Sequence, residues 1–391
     1  MKQLWIGGAV RTAIGDLSGQ FAGVGAVELG RAAVAASLQR AGVAPDVVDE
    51  VILGNVLQAG QGQNPARQVA IGCGVPQAVP SYTVNQVCGS GLKAIDLARQ
   101  AILLGEAGVV VAGGMESMSN APYILPALRQ GARLGDATAR DTIVFDGLSD
   151  AFGRCHMGMT AENIAASHGL TRDEQDRFAL ESQRRYAAAL AQGRPGEEIV
   201  PVVVRQRRGE MVVDRDEHPR ADATLEALAR LRPAFKPDGT VTAGNASGIN
   251  DGAAAVVVTG TAELLAADAR RVRLRDVVCV GCAPDIMGMG PVGAVRKLLA
   301  RQRLAVDDID LWELNEAFAA QSLAVLRELR LAPDRVNVNG GAIALGHPIG
   351  CSGARIVVSL IHQMKRQQAA LGVASLCVGG GMGLAILLEN D

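Results

Sequence analysis

The sequence predicts a layered α/β protein that uses one structural unit twice and interrupts the first copy. Three observations carry this. Residues 37–53, SLQRAGVAPDVVDEVIL, match residues 298–314, LLARQRLAVDDIDLWEL, with Leu38/Leu299, Arg40/Arg301, Ala44/Ala305, Asp46/Asp307, Asp49/Asp310 and Leu53/Leu314 all at one offset of 261 residues. Nearly the same offset, 262, pairs Ser90-Gly91 with Ser352-Gly353. The copies also end alike, GINDGAAAVVVTG at 248–260 and GGGMGLAILLEND at 379–391, but here the separation is 131. About 131 residues therefore interrupt the first copy.

Each copy reads in order as a helix, a short acidic turn, an apolar strand, and a glycine-rich turn into a second helix, closing on glycines and an apolar strand. The expected organisation is a first half of residues 1–115 plus 246–270, an inserted cap or loop domain of 116–245, and a second half of 271–391. The insert carries a stretch with methionine and proline at 115–127 and a helix over 171–190, where Thr171 and Glu174 form a capping box. It is too long and too structured for a simple loop. Two packed copies leave a crevice where strand ends and helix N-termini meet, and the candidate chemistry falls there.

Of the 391 residues, 49% are hydrophobic and 20% charged, enough for a large core or two to three domain-sized units. A net charge of −2 without blocks of like charge gives no support to a nucleic-acid face or a polybasic membrane anchor. Residues 1–14 lack the features of a secretory signal, and no window reaches membrane-spanning length, so cytoplasmic residence is the expectation. Seven scattered cysteines do not make a disulfide framework and read as reduced thiols. Cys279 and Cys282 have C-x-x-C spacing but no second pair follows, so they read as small core residues rather than metal ligands.

Cys88, in VNQVCGSGLKA, stands at the N-terminus of a helix whose buried positions read as Leu92, Ile95, Leu97, Ile102 and Leu103. The helix end favours thiolate over thiol. Glycine at 89 and 91 permits close approach of backbone and ligand. On this stretch alone, a reactive thiol and a packed one both remain open. The offset of 262 sets His347, in a turn between Gly346 and Pro348, opposite Asn85, so the copies should present His347 and Cys88 to each other. A thiol with an imidazole in reach is the minimal activated nucleophile. ASLCVGGGMG, 374–383, runs a strand bearing Cys377 into three glycines. It lacks the Lys-Ser/Thr helix start of a phosphate loop, but glycine N–H groups could form an oxyanion site. Asn315, at the end of strand LWEL, reads either as a helix N-cap or as an amide that orients a water or a carbonyl.

Taken together, NQVCGSG (85–91), GGMESMS (113–119), NEAFA (315–319), GGAIALGHPIGCSGAR (340–355) and CVGGGMG (377–383) closely resemble the thiolases. The resemblance spans essentially the whole chain. It is closest to the short-chain, biosynthetic acetyl-CoA acetyltransferase branch, through GQGQNPARQ, HMGMTAEN (156–163), TAGNASGINDGAAA (242–255) and IMGMGPVGA (286–294). It implies a layered αβαβα thiolase-like fold and reversible condensation of two acetyl-CoA molecules to acetoacetyl-CoA. It implies no metal and no cofactor, coenzyme A being substrate and product, and an acyl-CoA-handling homo-oligomer, dimer or tetramer. Apolar residues 121–136 are the candidate contact.

By the same resemblance, Cys88 accepts the acyl group, His347 activates it and polarises the thioester oxygen, and Cys377 moves the α-proton. Asn315 holds a water that forms one oxyanion hole with His347, and the N–H groups of Cys88 and Gly379 form the other. His156 and Met157 fall near the acyl and pantetheine end, Ser247, Ala317 and Phe318 along the pantetheine, Arg220 and Phe235 toward the adenosine. Leu148, Ala243 and Gly248 are further substrate positions, and Met287 limits acyl length. A longer-chain 3-ketoacyl-CoA thiolase is the competing enzyme. Decarboxylating condensing enzymes are disfavoured because they carry histidine where Asn315 stands and have no need of Cys377. A silent acyl-CoA-binding protein is disfavoured because Cys88, His347 and Cys377 are all present.

Overall fold

The computed structural model describes residues 3–207 and 209–390. One continuous sheet contains nine principal strands: β1 Trp5–Thr12, β2 Glu50–Gly54, β3 Ser81–Val84, β4 Val109–Ser117, β5 Asn250–Thr259, β6 Val272–Gly281, β7 Leu311–Leu314, β8 Leu371–Val378 and β9 Met382–Asn390. Their order is β7-β8-β9-β6-β1-β5-β4-β2-β3, with Gly15–Asp16 and Ile199–Val200 added beside β5 and β1.

The pairing bears out the duplication. In the first copy β2 is parallel to β4, β4 antiparallel to β5, and β5 antiparallel to β1. In the second, β7, β8, β9 and β6 repeat those senses in that order. The repeated aspartates do the same work in both copies. Asp49 Oδ2 accepts from the N–H groups of Gly108 and Val109 at 2.7 and 2.9 Å, and Asp310 Oδ2 from those of Ala370 and Leu371 at 2.8 and 2.9 Å. Each carboxylate thus ties the acidic turn to the start of the neighbouring parallel strand. The copies meet along β1 and β6 at Trp5↔Arg273 and Ile6↔Val272. Among the described residues, the counterpart of edge strand β3 is reduced to a bridge from Trp312 to Val336.

Seven helices matter for the site: α1 Ala26–Ala41, α2 Ser90–Leu104, α3 Met157–Ser167, α4 Arg172–Ala191, α5 Gly290–Gln302, α6 Ala319–Leu329 and α7 Ile349–Gln367. Equivalent helices α2 and α7 form the middle layer. Their Leu92, Ile95, Ile102, Ile356, Val357 and Leu360 share one core with Ile52 and Val256 of the first copy and Leu376 and Ile386 of the second. Outside, α1 packs on the first copy through Leu29, Val34 and Leu38, and α5 on the second through Val295, Leu298 and Leu299. The order is therefore αβαβα. Helix α2 departs from expectation at Leu103, which is 41% exposed, and Leu97 is half-buried; Ala94 and Ala98 complete the buried face instead.

The middle helices cross in backbone contact. A Cβ on Gly91 would lie 2.7 Å from Ala354 N, and one on its repeat mate Gly353 2.5 Å from Leu92 N. Gly91 therefore serves helix packing rather than ligand approach.

The chain leaves the principal strands after Ser117 and resumes them at Asn250, rejoining the sheet in between through the short Ile199–Val200 strand beside β1, so Glu116 and Ser117 still belong to β4. Within the excursion, α4 opens with the expected capping box: Thr171 N donates to Glu174 Oε2 at 2.8 Å and Glu174 N to Thr171 Oγ1 at 3.2 Å. The segment is locked down by buried Arg11, which pairs with Glu198 at 2.8 Å and Asp216 at 2.7 Å, while Tyr186 donates to Asp216 at 2.9 Å.

Candidate active site

A cavity of about 280 Å3 opens between the two copies and the excursion, and both Cys88 and His347 line it. Cys88 sits in a tight turn from β3 into α2. Asn85 Oδ1 accepts from Val87 N at 2.9 Å, and Ser90 Oγ accepts from Gln86 N at 2.9 Å while donating to Val87 O at 2.6 Å. The turn forces Val87 to φ +46, a left-handed conformation that a β-branched side chain resists at a cost of about 1–3 kcal/mol. That strain sits directly before the thiol and fixes its direction.

Burial pushes the Cys88 thiol up to about 11, against hydrogen bonds from the backbone N–H groups of Gly379 and of Cys88 itself, which favour the thiolate. The helix end is thus outweighed, and the resting group is a thiol that needs a base.

His347 is buried, in the turn foreseen for it: Gly346 takes φ +104 and Pro348 is the N-cap of α7. Its backbone N–H donates to Asn250 Oδ1 at 2.9 Å. Burial, with Arg355 adding to it, pushes the imidazole down to about 3, so the ring is neutral. Its tautomer follows from Ser352. The Ser352 hydroxyl donates its one hydrogen to Pro348 O at 2.9 Å, so the 2.5 Å contact with Nδ1 is an N–H donating to Oγ. Nε2 is left with its lone pair, the form a general base requires. Ser352 is the repeat mate of Ser90, which braces the Cys88 turn; the duplicated serine braces the imidazole.

Asn315 does not cap a helix. The strand ends at Leu314 and α6 begins only at Ala319, with Phe318 at its N-cap. The intervening turn is held by Asn337, which bonds both Leu314 N and Leu314 O at 2.8 Å, and Glu316 Oε1 at 2.8 Å. The Asn315 amide nitrogen consequently lies 3.4 Å from Nε2 and 3.5 Å from Nδ1 of His347. Cys377 is fully buried at the end of β8, packed with Met157, Met287, Ala317 and Phe318, which themselves line the cavity. Burial raises its thiol strongly, and the neighbouring Cys88 adds to the rise. The next turn, with Gly380 and Gly381 at φ +82 and +87, returns the chain into β9.

A thiol, a neutral base, a second thiol and an amide thus converge from both copies. The chain matches two family models, "Thiolase, N-terminal domain" over residues 4–262 and "Thiolase, C-terminal domain" over 269–390. The chain belongs to the thiolase family. A relative described as acetyl-CoA acetyltransferase from Chromobacterium violaceum is 55% identical, with 98% of each chain covered. Among solved structures, the Bacillus anthracis acetyl-CoA acetyltransferase is similar at TM-score 0.97 and 46% identity, covering 100% of this chain and 99% of that one. Human mitochondrial 3-ketoacyl-CoA thiolase is similar at TM-score 0.96 and 42% identity, again covering 100% and 99%.

In this thiolase-family chain Leu148, His156, Met157, Phe235, Ala243, Ser247, Gly248, Met287, Ala317 and Phe318 all line the cavity. His156 accepts from Gly158 N at 3.0 Å, capping α3, and stacks on Phe235 at 4.6 Å, with Phe318 edge-on to Phe235 at 6.2 Å. Arg220 does not line it: its guanidinium pairs with Asp16 at 3.2 Å, beside His218. Met118, Ile249 and Ile349 line it without having been foreseen, and so do Thr242 and Ala246. Ser352, Asn250 and Arg355 were also missed as supports of His347 and Asn315. For Ser352 the signal was available, since the repeat already paired it with Ser90.

Proposed function

We propose that the chain is an acetyl-CoA C-acetyltransferase, condensing two acetyl-CoA molecules to acetoacetyl-CoA and free CoA and running in reverse as thiolysis. The observation that carries this is the cavity lined by both Cys88 and a neutral His347 braced through Nδ1. The names of the relatives support the acetyl substrate. TM-scores of 0.97 and 0.96 to enzymes of both descriptions leave chain length to the cavity rather than the fold.

The proton inventory closes on these side chains. As Cys88 sulfur attacks the first thioester, its proton passes to His347 Nε2, and the oxyanion rests against the N–H groups of Cys88 and Gly379. The C–S bond to CoA breaks, and Cys377 protonates the departing thiolate. Acetyl-Cys88, imidazolium and a Cys377 thiolate remain. That thiolate takes the α-proton of the second acetyl-CoA, whose enolate oxygen is held at His347 and the water of Asn315. The carbanion attacks acetyl-Cys88, and the released Cys88 thiolate recovers its proton from His347. Raised thiols and a depressed imidazole suit this cycle, because each charged form exists only while its counter-charge is present.

Met287, 2% exposed beside Phe318 and Ala317, sets the depth available to the acyl chain. Turnover should favour acetoacetyl-CoA over 3-ketooctanoyl-CoA by at least about tenfold in kcat/KM, and Met287→Ala should narrow that ratio. Preference of the unaltered protein for the eight-carbon substrate contradicts the assignment and selects the longer-chain enzyme.

The working form in this reading is a homo-oligomer in the cytoplasm. Exposed Tyr123, Leu125, Leu128 and Leu134 along 121–136 support a contact between copies, and the seven cysteines, none disulfide-bonded, suit a reducing compartment. Among the described residues no helix is long and apolar enough to cross a membrane. Light scattering after gel filtration should return a dimer or tetramer, and charged substitutions at Leu125 and Leu128 should lower the mass; a monomer throughout removes the oligomer.

A further inference from the structure

One turn beyond Ser352, α7 carries an arginine that the reaction described above does not use. Arg355 is 1% exposed. Its Nη2 donates to Asn315 Oδ1 at 3.4 Å, and Nη1 lies 3.5 Å from Glu313 Oε2. Nε and Nη1 of Arg355, and Oε2 of Glu313, have no hydrogen-bond partner among the described residues. A buried ion pair with such gaps is a weak source of stability, and apolar residues of similar volume generally serve the fold as well or better. Its position, directly behind Asn315, supplies another reason for it.

An asparagine amide can turn over, and only its partners decide which end faces where. A guanidinium is donor-only, so Asn315 must offer Oδ1 to Arg355, which leaves Nδ2 and its hydrogens facing the His347 ring. The bare Nε2 of the neutral His347 ring, 3.4 Å away, favours the same orientation, but once Nε2 takes the Cys88 proton that preference is gone and Arg355 holds the amide; the Asn315 backbone is engaged elsewhere, N to Ser375 O at 3.0 Å, and His347 Nδ1 is committed to Ser352. Glu313 meanwhile neutralises Arg355 incompletely, because burial pushes its carboxyl up to about 8.

We propose that Arg355 is a positioning residue that locks the Asn315 amide with its nitrogen toward His347 and sets a fixed positive charge behind the place where the enolate oxygen develops. The inference rests on the proposed function, specifically on Asn315 and His347 holding that oxygen. It separates the two halves of the reaction. Acyl transfer to Cys88 uses the N–H groups of Cys88 and Gly379 and does not need Arg355. The same charge disfavours a proton on His347, so its loss leaves acylation unchanged or faster. Enolisation of the second acetyl-CoA depends on it.

The test follows both halves in D2O with acetyl-CoA: acetyl mass on the acid-quenched Cys88 peptide, and deuterium entering the methyl group of acetyl-CoA. Arg355→Lys keeps the charge and loses the planar fork. The double variant Glu313→Leu with Arg355→Met removes both groups together, which preserves folding where Arg355→Met alone leaves a buried carboxyl without its partner. In the double variant, deuterium entry and condensation should fall by about 30-fold or more, with KM within about threefold and Cys88 acetylation not slowed. Arg355→Lys should fall between. Wild-type rates of exchange and condensation in the double variant overturn the assignment, as does a parallel loss of acetylation and exchange, the mark of a merely structural role. A wild type that neither acetylates nor exchanges overturns the proposed function, and this inference with it.

Discussion

At Cys88 and His347 the resting chemistry is a neutral pair, with the thiol pushed up to about 11 and the imidazole down to about 3. The alkylation rate of Cys88 by iodoacetamide should therefore climb about tenfold per pH unit between pH 7 and 9, with no plateau. A plateau below pH 8 means that a thiolate–imidazolium pair already exists at rest. Ser352→Ala removes the acceptor for Nδ1–H, freeing the ring to carry its proton on Nε2. Its kcat should fall on the order of 100-fold, while alkylation at pH 9 stays near wild type. Equal kcat places the tautomer choice elsewhere.

Among elements, β4 ties the copies together through Glu116 at its end. Its oxygens accept from Asn55 Nδ2 at 2.7 Å, Leu57 N at 3.1 Å, Val56 N at 3.0 Å and, at the start of α7, Gly350 N at 2.9 Å. Four donors suit a carboxylate and not an amide. Glu116→Gln turns an NH2 against those donors and should cost about 2–4 kcal/mol in urea unfolding, with reduced activity, since Gly350 lies three residues from His347. An unchanged midpoint removes Glu116 as a tie. Elements with local signals were legible in the sequence: the capped helix α4, the Gly346–Pro348 turn, and the glycine hairpin after Cys377. Asn315 was open to misreading as a cap because the turn that carries it is held by Asn337, 22 positions along the chain, and no local pattern reports that bond. The thiolate expected at Cys88 failed for a related reason. A helix dipole is local, whereas the burial opposing it comes from the packing of Val378 and Leu384 of the second copy around the same turn.

Across the whole molecule, duplication makes the fold and the placing of Cys88 and His347 on one cavity legible in the sequence, through Asp49/Asp310 and Ser90/Ser352. Arg355, Asn250 and Glu116 were not legible as partners of the site, because each acts across a contact between segments far apart in sequence. Burial also sets the response to pH. Asp251 and Glu313 are raised to about 6 and 8, above their unfolded values, so the stability they contribute is complete below about pH 4 and lost as pH rises through 6 to 8. The urea midpoint should be lower at pH 9 than at pH 6, and Glu313→Gln should shrink the difference; an equal difference in that variant assigns the slope to other groups. In the proposed cycle Cys88 carries the acyl group. Intact-protein and peptide mass after acid quench with excess acetyl-CoA should show one acetyl on Cys88 in the wild type and in Cys377→Ala, and none in Cys88→Ala. A folded protein with a free Cys88 thiol and no acetyl group there contradicts the account.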